Sequence, residues 1–147
     1  MSDVTNVGPT WGEIHNGLVK PFPVKQLMWR KGRGNTNFVY IDARDVMDRL
    51  DKVCGAGNWQ TNYSESGGII VCNIGIRLPY TTDWVWKADG AGETDVEGEK
   101  GAMSSALKRA AVQWGVGRYL YYMKLYPQLS ANKQVPDWMH PDHERWM

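Results

Sequence analysis

With 147 residues, 42% of them apolar and 22% charged, the chain has the size and balance of one compact domain able to bury about two thirds of its unfolded surface. No run approaches the roughly 18 consecutive apolar residues that span a bilayer, and the N-terminal segment lacks the basic start and apolar core of a signal peptide, so a cytoplasmic protein with no membrane partner is expected. The net charge of +1 excludes coating of polyanions by bulk charge, and two cysteines, Cys54 and Cys72, are too few for a disulfide framework or a thiolate zinc site.

In chain order, Leu27 to Lys31 reads as one strand of a hairpin whose partner, Phe38 to Ile41, lies across a Gly-rich loop. Asp42 to Cys54 follows as an amphipathic helix, with Val46, Met47, Leu50, Val53 and Cys54 at helical spacing, Asp42 as N-cap and Gly55 as stop. Trp59 to Tyr63, Ile69 to Leu78 and Trp84 to Ala88 read as an antiparallel meander. A long helix from Gly98 to Trp114 then sets Met103, Ala106, Leu107, Ala110 and Trp114 in one apolar stripe suited to lying on that sheet, and Gly115 and Gly117 end it. The fold class expected is therefore α+β, with a core over residues 1–126. An arm over 127–147, rich in Pro, carries Trp138 and Trp146 as docking residues.

Charge is strongly sorted along this chain. Ile14 through Ile41 contains no acid, while Lys20, Lys25, Arg30, Lys31 and Arg33 give it +5. Lys100 through Pro136 is again free of acids and carries +6, from Lys100, Lys108, Arg109, Arg118, Lys124 and Lys133. Between them, Asp83 to Glu99 holds six acids against Lys87 alone. Polyanion binding on one face and self-association through opposite charges on another would use such a pattern; ordinary solvated charge would show it too.

Ser105, Lys108 and Arg109 fall opposite the apolar stripe of the long helix, with Lys100 two turns before Lys108. The small residues Ala102, Ser104, Ser105 and Ala106 let a phosphate backbone come close. Arg30 and Lys31 follow Trp29, and Arg33 sits in the loop; interleaved basic and aromatic residues serve single-stranded nucleic-acid surfaces, although Trp29 suits a core position as well. Eight Trp and seven Tyr against two Phe point the same way, toward rings with one wet end.

Three other chemistries have weaker signals. Glu97-Gly98-Glu99-Lys100 after Asp89 has the acid-x-Lys form of magnesium nucleases but lacks the apolar strand that holds it. Gly98-Glu99-Lys100-Gly101 matches the loop of KH modules, which bind short single strands. His140, Asp142, His143 and Glu144 lack a helical presentation because of Pro141, so no metal is expected. No Gly-rich phosphate loop occurs, so no nucleotide cofactor is expected and no catalytic residue is assigned.

Tyr40-Ile41-Asp42-Ala43-Arg44, Gly55 to Trp59, Glu99-Lys100, Ser105 to Ala110 and Trp114-Gly115, in that order and spacing, resemble the single-strand annealing proteins of the Rad fifty-two superfamily. The pattern is most similar to the phage annealing proteins and the bacterial DNA damage response protein A branch, and it covers about Lys25 to Tyr122. The resemblance implies ATP-independent binding of single-stranded DNA, annealing of complementary strands in recombination and repair, and a homo-oligomeric ring or helical filament. A host single-strand-binding protein or a paired exonuclease is the kind of partner it implies. It assigns the DNA backbone to Lys108 and Arg109, with Arg30 and Lys100 beside them. Eukaryotic members carry a further Arg where this chain has Val112, so that one phosphate contact is either missing here or supplied from elsewhere, with Arg118 as the candidate. A second DNA site is not traceable; Lys124 or Arg33 are its candidates.

Overall fold

The computed structural model describes residues 8–31, 37–92 and 98–122. The first element is a helix, α1 (Trp11–Leu18), where no element was expected. Its start is built by a reciprocal pair: Glu13 N–H donates to the Thr10 hydroxyl oxygen at 3.2 Å, and Thr10 N–H donates to the Glu13 carboxylate at 3.1 Å. Ile14 and Leu18, four apart, are buried. Its far end is held from a distance by Arg49, which donates to the carbonyls of Leu18 at 3.1 Å, Lys20 at 2.6 Å and Pro21 at 3.3 Å and lies 4.1 Å over the Phe22 ring. The Leu18 carbonyl, in the last turn of α1, would otherwise lack a helical partner.

Strands β1 (Met28–Lys31) and β2 (Asn37–Tyr40) form the expected antiparallel hairpin, with Arg30 opposite Phe38 and Met28 opposite Tyr40. Its turn residues, Arg33 among them, lie outside the described residues. Helix α2 (Ala43–Cys54) follows, capped by Asp42, whose carboxylate accepts from Arg44 N–H at 3.0 Å. Val46, Leu50 and Cys54 are its buried face.

The meander is β3 (Trp59–Ser66), β4 (Ile69–Ile76) and β5 (Val85–Ala91), in sheet order β3-β4-β5 and antiparallel throughout. Gly67 and Gly68, at φ 56 and 82, make the two-residue turn between β3 and β4, which needs positive φ at both positions. Cys72, Ile74 and Ile76 alternate onto one sheet face and are fully buried there.

Helix α3 (Gly98–Gln113) lies on β4 and β5. Ala102, Ala106, Leu107, Ala110, Ala111 and Trp114 are buried, and the Trp114 indole N–H donates to the Ile74 carbonyl at 3.0 Å. Met103, expected in that stripe, is 42% exposed. It has the right azimuth but lies toward the helix start, where the described residues leave it partly uncovered. The helix begins at Gly98, so the Gly98-to-Gly101 segment is its first turn and not a loop joining two helices, which removes the KH reading.

Part of the aromatic excess is used inside the chain. Trp59 N–H donates to Asp51 at 2.7 Å, the Tyr119 hydroxyl accepts from Phe22 N–H at 3.0 Å, and Tyr80 donates to the Pro9 carbonyl at 3.3 Å. Each ring is half-buried with its polar end satisfied. Trp138 and Trp146, like the whole arm and the Lys124, His140 and His143 positions, lie outside the described residues.

Cys54 and Cys72 are both buried and unpaired. Burial pushes the Cys54 thiol from its ordinary 9.0 up to about 11. Burial, reinforced by Cys72, pushes the Tyr63 hydroxyl from 10.0 up to about 12. Over those intervals the folded chain holds more protons than the unfolded one, so stability falls as pH rises through them. We expect the unfolding free energy from urea titration to drop between about pH 9 and 11 by about 2 kcal/mol, with a lower midpoint, and Cys54→Ala to flatten that drop. A midpoint that does not move over this window contradicts the buried thiol's role.

Candidate nucleic-acid interface

The buried half of α3 leaves a solvent-facing arc on which Lys108 and Arg109 are neighbours in sequence but about 100° apart around the axis. Their side chains diverge. Lys108 is half-buried, and its ammonium stands 5.2 Å from the centre of the Tyr40 ring on β2, a cation–π contact that joins α3 to the hairpin. Arg109 leans the other way, its Nε 3.9 Å from Asp89 Oδ1 on β5. Val112, half-buried, lies one turn further along between them.

The pleat brings the hairpin into the same surface. Arg30 pairs with Phe38, and positions 38 and 40 fall on one face of β2, so 30, 38 and 40 share the hairpin face on which Lys108 covers Tyr40. Lys31 is the last residue of β1, and Lys100 lies in the first turn of α3. Among the described residues this arc therefore gathers the Lys108 and Arg109 side chains beside the backbone position of Arg30, with Asp89 as its acid, while position 31 falls on the other face of the hairpin by the same alternation.

Arg118 has a different employment. Its guanidinium donates to the Val112 carbonyl from Nε at 3.0 Å and from Nη2 at 2.8 Å, and to the Gln113 carbonyl at 3.0 Å. Lys87 adds a fourth bond, Nζ to the Gln113 carbonyl at 3.3 Å, and sits 4.8 Å over the Trp114 ring. Two cations thus satisfy the carbonyls at the negative end of α3. Neither was legible as a cap in the sequence, because both reach it through the tertiary fold.

Trp114 also stacks on Trp11, with centroids 5.9 Å apart and planes at 16°. The two rings, with His15, Lys87 and Arg118, line a cavity of about 260 Å³ between α1 and the end of α3. Asp89, part of the acid-x-Lys pattern, spends its oxygens on Gly90 N–H at 2.7 Å, on Gln113 Nε2 at 3.4 Å and on Arg109. Glu97 lies outside the described residues, and among those described no three His, Cys, Asp or Glu side chains converge as metal ligands.

Comparison with known proteins gives the chain a family. The chain is 33% identical to the single-stranded DNA-binding protein DdrA of Deinococcus radiodurans over 152 aligned positions, covering 90% of this chain and 70% of that protein. It is 35% identical to the DdrA of Deinococcus deserti over 149 positions, covering 90% and 73%. The model of the Rad52/22 family double-strand break repair protein matches residues 10–139, which include every element from α1 to α3. With the motif order of the sequence now seen on a hairpin, a meander and a long covering helix, the chain belongs to the Rad52/22 family.

Proposed function

We propose that the chain binds single-stranded DNA along the α3 and hairpin surface and anneals complementary strands in double-strand break repair and recombination, without nucleotide hydrolysis. The observation that carries this is the Lys108–Tyr40 contact, which sets a cation of α3 over the hairpin face to which Arg30 belongs by register. Family membership and two relatives named as single-stranded DNA-binding proteins support it.

Lys108 and Arg109 grip successive phosphates, Arg30 and Lys100 extend the track, and Lys31 and Arg33 are further candidates from the sequence. Arg118 we assign to the helix cap. Annealing requires that the mutual repulsion of two polyanions be relieved while base edges stay free to pair, and a ridge holding one strand by its sugar-phosphate side does both. Side-by-side assembly into a ring or filament would make the ridge continuous, and a host single-strand-binding protein or an exonuclease would supply its strands. Among the described residues no helix is long and apolar enough to cross a membrane.

The test is annealing of two complementary labelled oligonucleotides in the absence of ATP, with electron micrographs taken alongside. We expect faster annealing than in buffer alone and DNA-bound assemblies. Arg30→Ala should lower the slope of log affinity against log salt by about 0.7, the share of one phosphate on a single strand. Annealing at the rate of buffer would overturn the reading, and an unaltered slope would remove Arg30 from the track.

A further inference from the structure

Asp89 is an acid placed beside a cation assigned to phosphate. It sits on β5 at the register position opposite Cys72, on the sheet face covered by α3. Its orientation is fixed by the 2.7 Å bond that Oδ1 accepts from Gly90 N–H, and Oδ2 accepts the longer bond from Gln113. The 3.9 Å separation from Arg109 Nε is at the limit of an ion pair, and the two side chains are 46% and 33% exposed. Such a pair is weak and readily exchanged for a phosphate, whose oxygens offer the guanidinium shorter paired bonds.

We propose that Asp89 is a built-in competitor for the strand: it draws Arg109 toward β5 in the free protein, lowers affinity for single-stranded DNA and speeds its release. The inference rests on the reading of Lys108 and Arg109 as the phosphate-gripping pair. Its use follows from what annealing demands. A strand held too firmly cannot be handed over once paired, and a carboxylate that recaptures Arg109 as the phosphate leaves keeps each contact short-lived.

Asp89→Asn tests this, because the amide keeps an oxygen for Gly90 N–H while removing the charge; its NH2 takes the place of the oxygen that accepts from Gln113, whose own amide oxygen can turn to accept instead. At about 0.1 M salt an oligothymidine should bind about two- to five-fold more tightly, chiefly through slower dissociation, and annealing at saturating protein should slow. In an Arg109→Ala background the same change should alter affinity less than about two-fold, as should Asp83→Asn in the wild type. Unchanged or weaker binding by Asp89→Asn overturns the proposal, and so does a gain that persists without Arg109. Asp89→Ser serves as the second variant if the amide fails to fold, with the same expected direction. Measured alongside, the Lys108→Ala/Arg109→Ala protein separates the two levels. If wild-type binding does not depend on that pair, the underlying site assignment fails; if it does and Asp89→Asn is neutral, only the competitor role fails.

Discussion

Replacing Lys108 and Arg109 together by alanine should cut affinity for single-stranded DNA about 100-fold at moderate salt and leave the fold and assembly intact. Two charge-assisted contacts of roughly 1.5 kcal/mol each amount to about 3 kcal/mol, and each 1.4 kcal/mol is tenfold. The salt slope should fall by about 1.4, twice the single-strand value for one phosphate. What the same side chains contribute to stability is much smaller. The Lys108–Tyr40 contact is worth about 0.5–1 kcal/mol and the half-exposed Arg109–Asp89 pair less than about 1, against a total of roughly 5–15 for a domain of this size. Binding by filter or anisotropy, with circular dichroism and micrographs as fold and assembly controls, checks this. Unchanged affinity in a folded double variant would refute the phosphate track, and lost assembly would move the pair to a subunit contact.

The element order from hairpin to long helix was legible because each piece has a local signal: alternation in the strands, helical spacing in α2, and Gly55 and Gly115 at the ends of α2 and α3. Strand β3 runs on to Ser66, beyond the expected Tyr63, because its last residues are polar on both faces and are held by pairing with β4 instead of by burial. Helix α1 was missed although Thr10-x-x-Glu13 is a start signal. With eight residues it is too short to hold alone, and besides its cap and two buried side chains it is tied by Arg49, whose Leu18, Lys20 and Pro21 partners lie 28 to 31 residues away. The candidate site was legible as a list of cations, not as a geometry. Lys108 and Arg109 read as one ridge on a wheel, whereas the fold sends one to Tyr40 and the other to Asp89. That divergence depends on which strand flanks each side of α3, and on the register that puts Asp89 opposite Cys72. Arg118 read as a free cation for the same reason.

Gly115→Ala should be the most destabilising single-methyl change in the described chain, costing about 2–6 kcal/mol. The residue ends α3 in a paired motif: Gly115 N–H donates to the Val112 carbonyl at 2.9 Å and Val116 N–H reaches back to Ala111 at 3.0 Å, with Val116 buried beneath. That turn requires φ of +101 at Gly115, where an alanine is strained by about 1–3 kcal/mol. A Cβ there would also stand 2.6 Å from Val19 Cγ1, just beyond α1, and overpacking adds about 1–3 kcal/mol more. Relief by moving Val19 shifts α1 against the end of α3, disturbing the Trp11–Trp114 stack. Gly67 provides the internal comparison, since its φ is +56 and a Cβ there meets nothing within 4 Å. Gly67→Ala should therefore cost only about 1–2 kcal/mol, the strain of the left-handed backbone alone. Urea titrations of the two variants decide the matter: equal midpoints would mean that the close approach of Val19 to α3 does not constrain the folded protein. A much larger loss in Gly115→Ala, with oligonucleotide affinity retained by whatever fraction stays folded, would place this joint in the scaffold and outside the DNA track.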